Sequence, residues 1–327
     1  MADTNTAPTV SGPVTLEASN EDTVRIITAD ELLQTASDDK FTTAELTVID
    51  LTASSGTLVE DGEGRWIFTP VANDESAVTF SYKVSDGELE SAETIATLDL
   101  LPVNIVLPDK GGGARLAASD VAEDIYGGRG NDRIKAEGGD DQVWGNKGND
   151  RVYGGEGDDL VDGGKGNDRV YGDGGDDEVY GADGNDRAYG GAGDDVVVGA
   201  KGNDWVYGGD GGDEVDGGDG NDHLYGDAGN DVVLAGKGND HINGGEGDDD
   251  LTGNEGHDRF VFKGIYGDDI IRDFDVENDT LRINGTTYSK GNFDQLVFEV
   301  DDTNVVIVDG ENSITLENVN PSDFALV

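Results

Sequence analysis

The chain has 327 residues, with 72 acidic and 21 basic side chains, a net charge of −51 and no cysteine. This balance argues against nucleic acid or anionic membrane as a partner of the whole protein, and the lack of cysteine excludes disulfide staples. No apolar run approaches membrane-spanning length, and Met1-Ala2-Asp3-Thr4-Asn5-Thr6 has neither the charge nor the apolar core of an export leader.

Residues 13–106 form the first region. Glycine is sparse there and β-branched residues are common. Strands are predicted at 23–27, 46–51, 64–69, 77–84 and 92–101. Thr28-Ala29-Asp30-Glu31, ahead of Leu32-Leu33, reads as a capping box on a short helix. Short strands with turn signals between them predict a small β-sandwich. Arg65-Trp66-Ile67-Phe68-Thr69-Pro70 and Val78-Thr79-Phe80-Ser81-Tyr82-Lys83-Val84-Ser85-Asp86-Gly87 resemble the bacterial cadherin-like (Ig-like) tandem repeat domain. The resemblance implies a role in adhesion or spacing. It also implies Glu21, Asp22, Asp38, Asp39 and Asp86 as candidate calcium ligands, against the plainer reading of solvated turn residues. Residues 107–126 read as a linker, hinged at 109–114 by Gly111-Gly112-Gly113.

From Gly127 to Val261 the chain runs as fifteen nine-residue units without insertion or deletion. Every unit has glycine at its fourth position and a non-polar residue at its eighth. The sixth position is always aspartate: Asp132, Asp141, Asp150, Asp159, Asp168, Asp177, Asp186, Asp195, Asp204, Asp213, Asp222, Asp231, Asp240, Asp249 and Asp258. A period of nine with one apolar residue per unit fits neither a helix nor a coiled coil. It predicts a six-residue turn and a three-residue strand, with the eighth side chain facing in and the seventh and ninth facing out. Two units then make a coil of eighteen residues. Glycines free the turn backbone, and carboxylates with carbonyls are the oxygen donors Ca²⁺ prefers.

The block resembles the hemolysin-type calcium-binding nonapeptide repeat of the RTX family. That implies a parallel β-roll, a calcium-binding right-handed β-helix. In it, sixth-position aspartates and turn carbonyls of neighbouring coils hold each ion, about 13 ions in all. The resemblance also implies export by a type I secretion system of a Gram-negative bacterium. The chain would stay unfolded where calcium is scarce and fold outside the cell. Without calcium, a disordered Gly/Asp tract is the expected state.

The two faces of the roll differ. All eleven Lys and Arg of the block lie in odd-numbered units, balanced by 11 acidic residues, whereas even units carry 23 acidic residues and no base. The odd face presents a stripe that includes Arg151, Tyr153, Arg169, Tyr171, Arg187, Tyr189, Trp205 and Tyr207. The stripe reads either as ladders that stabilise neighbouring strands or as a platform for an acidic polysaccharide, with rings on sugar faces and guanidinium forks on carboxylates.

Residues 262–327 lose the period. They read as a β-rich cap, with a hairpin of 295–300 and 304–308, that closes the open end of the roll. Asp323-Phe324-Ala325-Leu326-Val327 resembles the secretion ends of the family. The chain has neither His-Glu-x-x-His nor Gly-x-Ser-x-Gly, so no enzyme activity is expected. The expected function is a secreted, extracellular calcium-binding protein in surface or matrix adhesion or acidic polysaccharide binding. The alternatives are an accessory module of a polysaccharide-active enzyme system and a purely structural surface-layer or calcium-buffering protein.

Overall fold

A computed structural model describes residues 5–20, 24–61, 64–71, 76–101, 103–107, 113–118, 122–289, 292, 296, 298–301, 304–310 and 312–319. The chain divides into two compact units, Met1–Val103 and Asn104–Val327.

The first unit is a β-sandwich. One sheet orders Val14–Thr15, Thr94–Leu98, Val78–Ser85 and Thr47–Ala53, and the other orders Arg25–Thr28, Arg65–Thr69 and Thr57–Glu60. Alternation explains the packing. Along Val78–Ser85 every second side chain is buried, and Phe80, Tyr82 and Val84 meet Ile27, Trp66 and Phe68 in one core. Phe68 and Phe80 pack edge-to-face at 5.1 Å. The predicted capping box is present on the helix Ala29–Leu32: Thr28 accepts from the Glu31 amide, and Glu31 accepts from the Thr28 amide. The strand Thr57–Glu60 was not among those predicted.

The second unit is a parallel β-roll of two sheets. Odd units supply one, from Arg133–Gly138 through His241–Glu246, and even units supply the other, from Gln142–Trp144 through Asp250–Thr252. Each strand pairs with the one eighteen residues on, as in Arg151↔Arg169, Val152↔Val170 and Tyr153↔Tyr171. Eighth-position side chains form the core as expected. From Ile134 to Phe260 all fifteen are at most 1% exposed.

The strand length differs from expectation. Most strands run six residues, as in Arg187–Ala192 and Trp205–Asp210. They take in positions seven to nine and the first three of the next unit, because the latter also pair across coils, as in Gly191↔Gly209. The turn is therefore only Gly-x-Asp. The second position always bends the strand: from Glu137 to Asn254 it has positive φ, also at the non-glycines Ala182 (φ 78°) and Ala200 (φ 77°).

The expected linker 107–126 is corrected where it is described. Residues 113–118 and 122–126 form a coil ahead of the first perfect repeat. Leu116 donates to the Arg133 carbonyl, and Glu123–Tyr126 pairs with Gln142–Trp144. Val103–Val106 joins the same sheet as Glu123–Tyr126, so the boundary after 106 moves to Val103. Of the predicted hinge, 109–112 lie outside the described residues. At the other end, Thr280–Ile283 continues the odd sheet, and Asn312–Leu316, Asn304–Asp309 and Phe298–Asp301 continue the even one. Phe262, Tyr266, Leu281, Ile307 and Ile314 extend the core into this cap. Phe298–Asp301 and Asn304–Asp309 form the predicted hairpin.

Candidate metal centre

The sixth-position aspartates line up on the two edges of the roll, odd units on one and even units on the other. One bond repeats from coil to coil: the amide of each aspartate donates to Oδ1 of the aspartate eighteen residues on. Examples are Asp150 to Asp168 (2.6 Å), Asp186 to Asp204 (2.7 Å) and Asp195 to Asp213 (2.8 Å). All fifteen are at most 5% exposed.

The second carboxylate oxygen is left over. Oδ2 is buried and without a hydrogen-bond partner in every sixth-position aspartate from Asp141 to Asp249. A buried carboxylate oxygen without a partner is costly unless something compensates it. Here a glycine lets a second oxygen come close to it. A Cβ built on Gly145 would stand 3.0 Å from Asp150 Oδ2 and 2.6 Å from the Gly163 carbonyl oxygen. On Gly199 it would stand 2.9 Å from Asp204 Oδ2 and 2.8 Å from the Gly217 carbonyl oxygen. The missing side chain of the first-position glycine therefore lets a carboxylate oxygen of its own unit and a carbonyl oxygen of the next coil approach the same point. Among the described residues no three His, Cys, Asp or Glu side chains converge as a metal site, so carbonyls must complete the donor set.

The electrostatics agree. Burial pushes these carboxyls up, to about 7 at Asp213, Asp222 and Asp231. The amide of the preceding coil pulls them down, and carboxylates of the same edge push them up again. A divalent cation reverses this balance by favouring the charged form. The row thus fits Ca²⁺ in donor chemistry, with all oxygens hard and negative charge in excess. When bound, the ion would neutralise neighbouring carboxylates and tie one coil to the next.

The row extends beyond the predicted residues. Glu123 donates its amide to Asp141 Oδ1 at 2.7 Å, Asp249 to Asp269 Oδ1 at 2.9 Å and Asp258 to Asp279 Oδ1 at 2.9 Å. Asp269 and Asp279 are buried like the others. The nine-residue count hides them because the last coils are longer. The triplets Glu123-Asp124-Ile125, Asp269-Ile270-Ile271 and Asp279-Thr280-Leu281 keep the acid-x-apolar signal. In the first unit, Asp86 accepts from the amides of Glu88 and Leu89 and from Asn5, and Asp38 accepts from Lys40 and Phe41. Both cap turns. Glu21 and Asp22 lie outside the described residues.

The predicted platform resolves into two columns. Arg151, Arg169 and Arg187 stand in register at the seventh position, followed by Trp205, His223 and His241. Tyr153, Tyr171, Tyr189 and Tyr207 stand in register at the ninth, with ring centroids 4.6–4.7 Å apart and planes within 7°. Tyr225 extends that ladder at 4.8 Å. Each ring covers its neighbour's face, so the faces inside the ladder are not open to a sugar. Of the two readings of the tyrosines, this geometry is that of a ladder between neighbouring strands.

Comparison with known proteins identifies both units. The cadherin-like domain family matches residues 4–101, and the RTX calcium-binding nonapeptide repeat matches four times, at 118–152, 153–188, 189–224 and 225–260. Neither family is a catalytic one. No curated protein matches the chain. Among solved structures, the extracellular lipase LipA from Serratia marcescens matches at 20% identity with a TM-score of 0.26, over 70% of this chain and 43% of that one. The chain spans less than half the length of that enzyme, and a likeness of this degree assigns it neither fold nor activity. The chain thus carries a cadherin-like domain at residues 4–101 and RTX calcium-binding nonapeptide repeats over residues 118–260.

Proposed function

We propose that this chain works outside the cell, folding its roll on calcium after export and then binding acidic polysaccharide at a cell surface or in a matrix. The observation that carries the calcium half is the unbroken series of buried, unpartnered Oδ2 atoms from Asp141 to Asp249. Except at Asp240 and at the two ends, Asp141 and Asp249, each stands with a carbonyl oxygen of the next coil against the first-position glycine of its unit. About 13 ions within the fifteen units follow if every adjacent same-edge pair takes one. Folding and metal binding are then one event, since the charge that opposes compaction is the charge that binds the ions.

Two further features support the binding half. RTX proteins are typically secreted, and the cadherin-like unit is of a kind that serves adhesion. The arginines of the odd face offer forks that match carboxylates. Type I export fits a chain that cannot fold where calcium is scarce. Circular dichroism in chelator and in millimolar calcium, followed by a glycan array on the calcium-loaded protein, tests both halves. A roll equally ordered in chelator sinks the first half. An array without acidic glycans among its hits sinks the second.

A further inference from the structure

The arginine column is longer than the platform read from the sequence, and it borders a groove. Arg115 pairs with Arg133, Arg133 with Arg151, Arg151 with Arg169 and Arg169 with Arg187, all in parallel register. A cavity of about 760 Å³ runs along these five side chains. Its lining also takes in a column of asparagines, Asn131, Asn149, Asn167 and Asn185, and the carboxylates Asp150 and Asp168. Each asparagine is held in place, because its Oδ1 accepts the amide of the next in the column, at 2.9 Å from Asn149, 3.0 Å from Asn167 and 2.9 Å from Asn185. That bond leaves the side-chain NH2 groups of Asn131, Asn149 and Asn167 as donors.

The arginines lack carboxylate partners in a chain rich in acids, and Arg133 lies instead over the Tyr153 ring at 5.7 Å. Among the described residues none of the five makes an ion pair, although Lys165, Lys201 and Lys237, also in odd units, do. Arg151 Nε is buried without a hydrogen-bond partner. Like charges directly opposite each other on neighbouring strands repel. Five in a row form a wall that a chain of anions would complete, since the carboxylates lining the groove, Asp150 and Asp168, accept backbone amides and make no ion pair with it. Strand spacing of ~4.8 Å makes the row roughly 19 Å long. A compact ligand cannot fill it, whereas a linear one can.

We infer that the Arg115–Arg187 groove, lined also by the asparagine column, is the binding site for an unbranched polysaccharide that carries an anionic group on successive sugars. The inference rests on the acidic-polysaccharide reading above and moves the site away from the tyrosines. Guanidinium forks take the anions in bidentate fashion, and the asparagine amides donate to hydroxyl or ring oxygens. A carboxylate or a sulfate would satisfy the same forks.

The test uses the full-length, calcium-loaded protein. Titration calorimetry is run with a disaccharide and a hexasaccharide of galacturonate, too short to gel with calcium, with a heparin hexasaccharide and with neutral dextran. The hexasaccharide of galacturonate or of heparin should bind, the disaccharide at least tenfold more weakly and dextran not at all. The pair that binds assigns carboxylate or sulfate. Combined Arg133→Ser, Arg151→Ser and Arg169→Ser should weaken binding at least tenfold, with calcium-dependent circular dichroism unchanged. Should that variant lose its fold, single Arg151→Lys keeps the charge, removes the fork and should weaken binding severalfold. Tyr171→Phe with Tyr189→Phe should bind as wild type. Unchanged binding after the arginine substitutions overturns the groove while acidic-polysaccharide binding stands. Absence of binding by every acidic glycan, polymers on the array included, overturns both.

Discussion

The amide of Asp204 donates to Asp222 Oδ1 at 2.8 Å, and Asp222 Oδ2 is buried with no partner. Asp222 in turn donates its amide to Asp240 Oδ1 at 2.8 Å. One carboxylate therefore both fixes the register of the coil before it and supplies an oxygen for an ion. Asp222→Asn keeps Oδ1 as an acceptor but replaces an anionic oxygen by an amide. The expected outcome is a calcium midpoint for folding raised roughly tenfold and a lower ion count per chain. Calcium titration followed by circular dichroism measures the first, and metal analysis the second. Asp210→Asn, at an exposed third position, should leave both near wild type.

The second position offers a test of backbone strain. Ala182 and Ala200 hold φ of 78° and 77°, a region in which an L-residue with a Cβ is strained by about 1 kcal/mol relative to glycine. Ala182→Gly and Ala200→Gly should each stabilise the calcium-loaded roll by about that amount. The fourth position should respond the other way. Gly202 has φ of 139°, and a Cβ there would collide with the Gly184 carbonyl oxygen of the preceding coil. Gly202→Ala should raise the calcium needed for folding and lower the midpoint of thermal unfolding.

Much of the roll was legible because its signals are local and repeat. An aspartate every nine residues fixes two edges, and an apolar residue two places later fixes the core, as Asp204 and Val206 do. What stayed hidden depends on pairing between coils. The extension of strands into positions one to three is invisible in Arg187-Ala188-Tyr189-Gly190-Gly191-Ala192, since two glycines argue for a turn. Only the partner strand Trp205–Asp210 makes those residues extended. Asp269 and Asp279 were missed because the longer coils shift them out of the nine-residue count. Arg115 was missed because Ala114 stands where the next aspartate of the row belongs, donating its amide to Asp132 Oδ1. The ring ladder was foreseen as an alternative, but its consequence for sugar stacking needed the interplanar angles.

The tyrosine ladder predicts a stability effect without a binding effect. Tyr189 stacks on Tyr171 and on Tyr207, both at 4.7 Å. Such contacts contribute about 0.5–1.5 kcal/mol each beyond area burial. Tyr189→Ser should destabilise the calcium-loaded roll by about 2 kcal/mol or more. Tyr189→Phe should change little. Denaturant unfolding at fixed calcium separates these outcomes, and equal losses for Ser and Phe would instead place the stabilisation in the hydroxyl.

In the cadherin-like unit the pH response follows from Glu31. Burial works to raise its pKa, but the Thr28 amide and hydroxyl and the Arg25 guanidinium outweigh it, so the carboxyl titrates below its usual range. A group whose pKa is lower in the folded state favours folding at pH above its ordinary range. That contribution is lost as pH falls through the folded value. The unit should therefore lose stability below about pH 4.5, and Glu31→Gln should flatten that acid limb while lowering stability at neutral pH. Thr28→Ala should cost about 1 kcal/mol at neutral pH and partly flatten the limb, because the Glu31 carboxylate loses the Thr28 hydroxyl as a donor while keeping the residue-28 amide. Thermal unfolding followed in chelator reads the sandwich alone if the roll folds on calcium as proposed. An acid limb unchanged in both variants would remove the Thr28–Glu31 pair as its source.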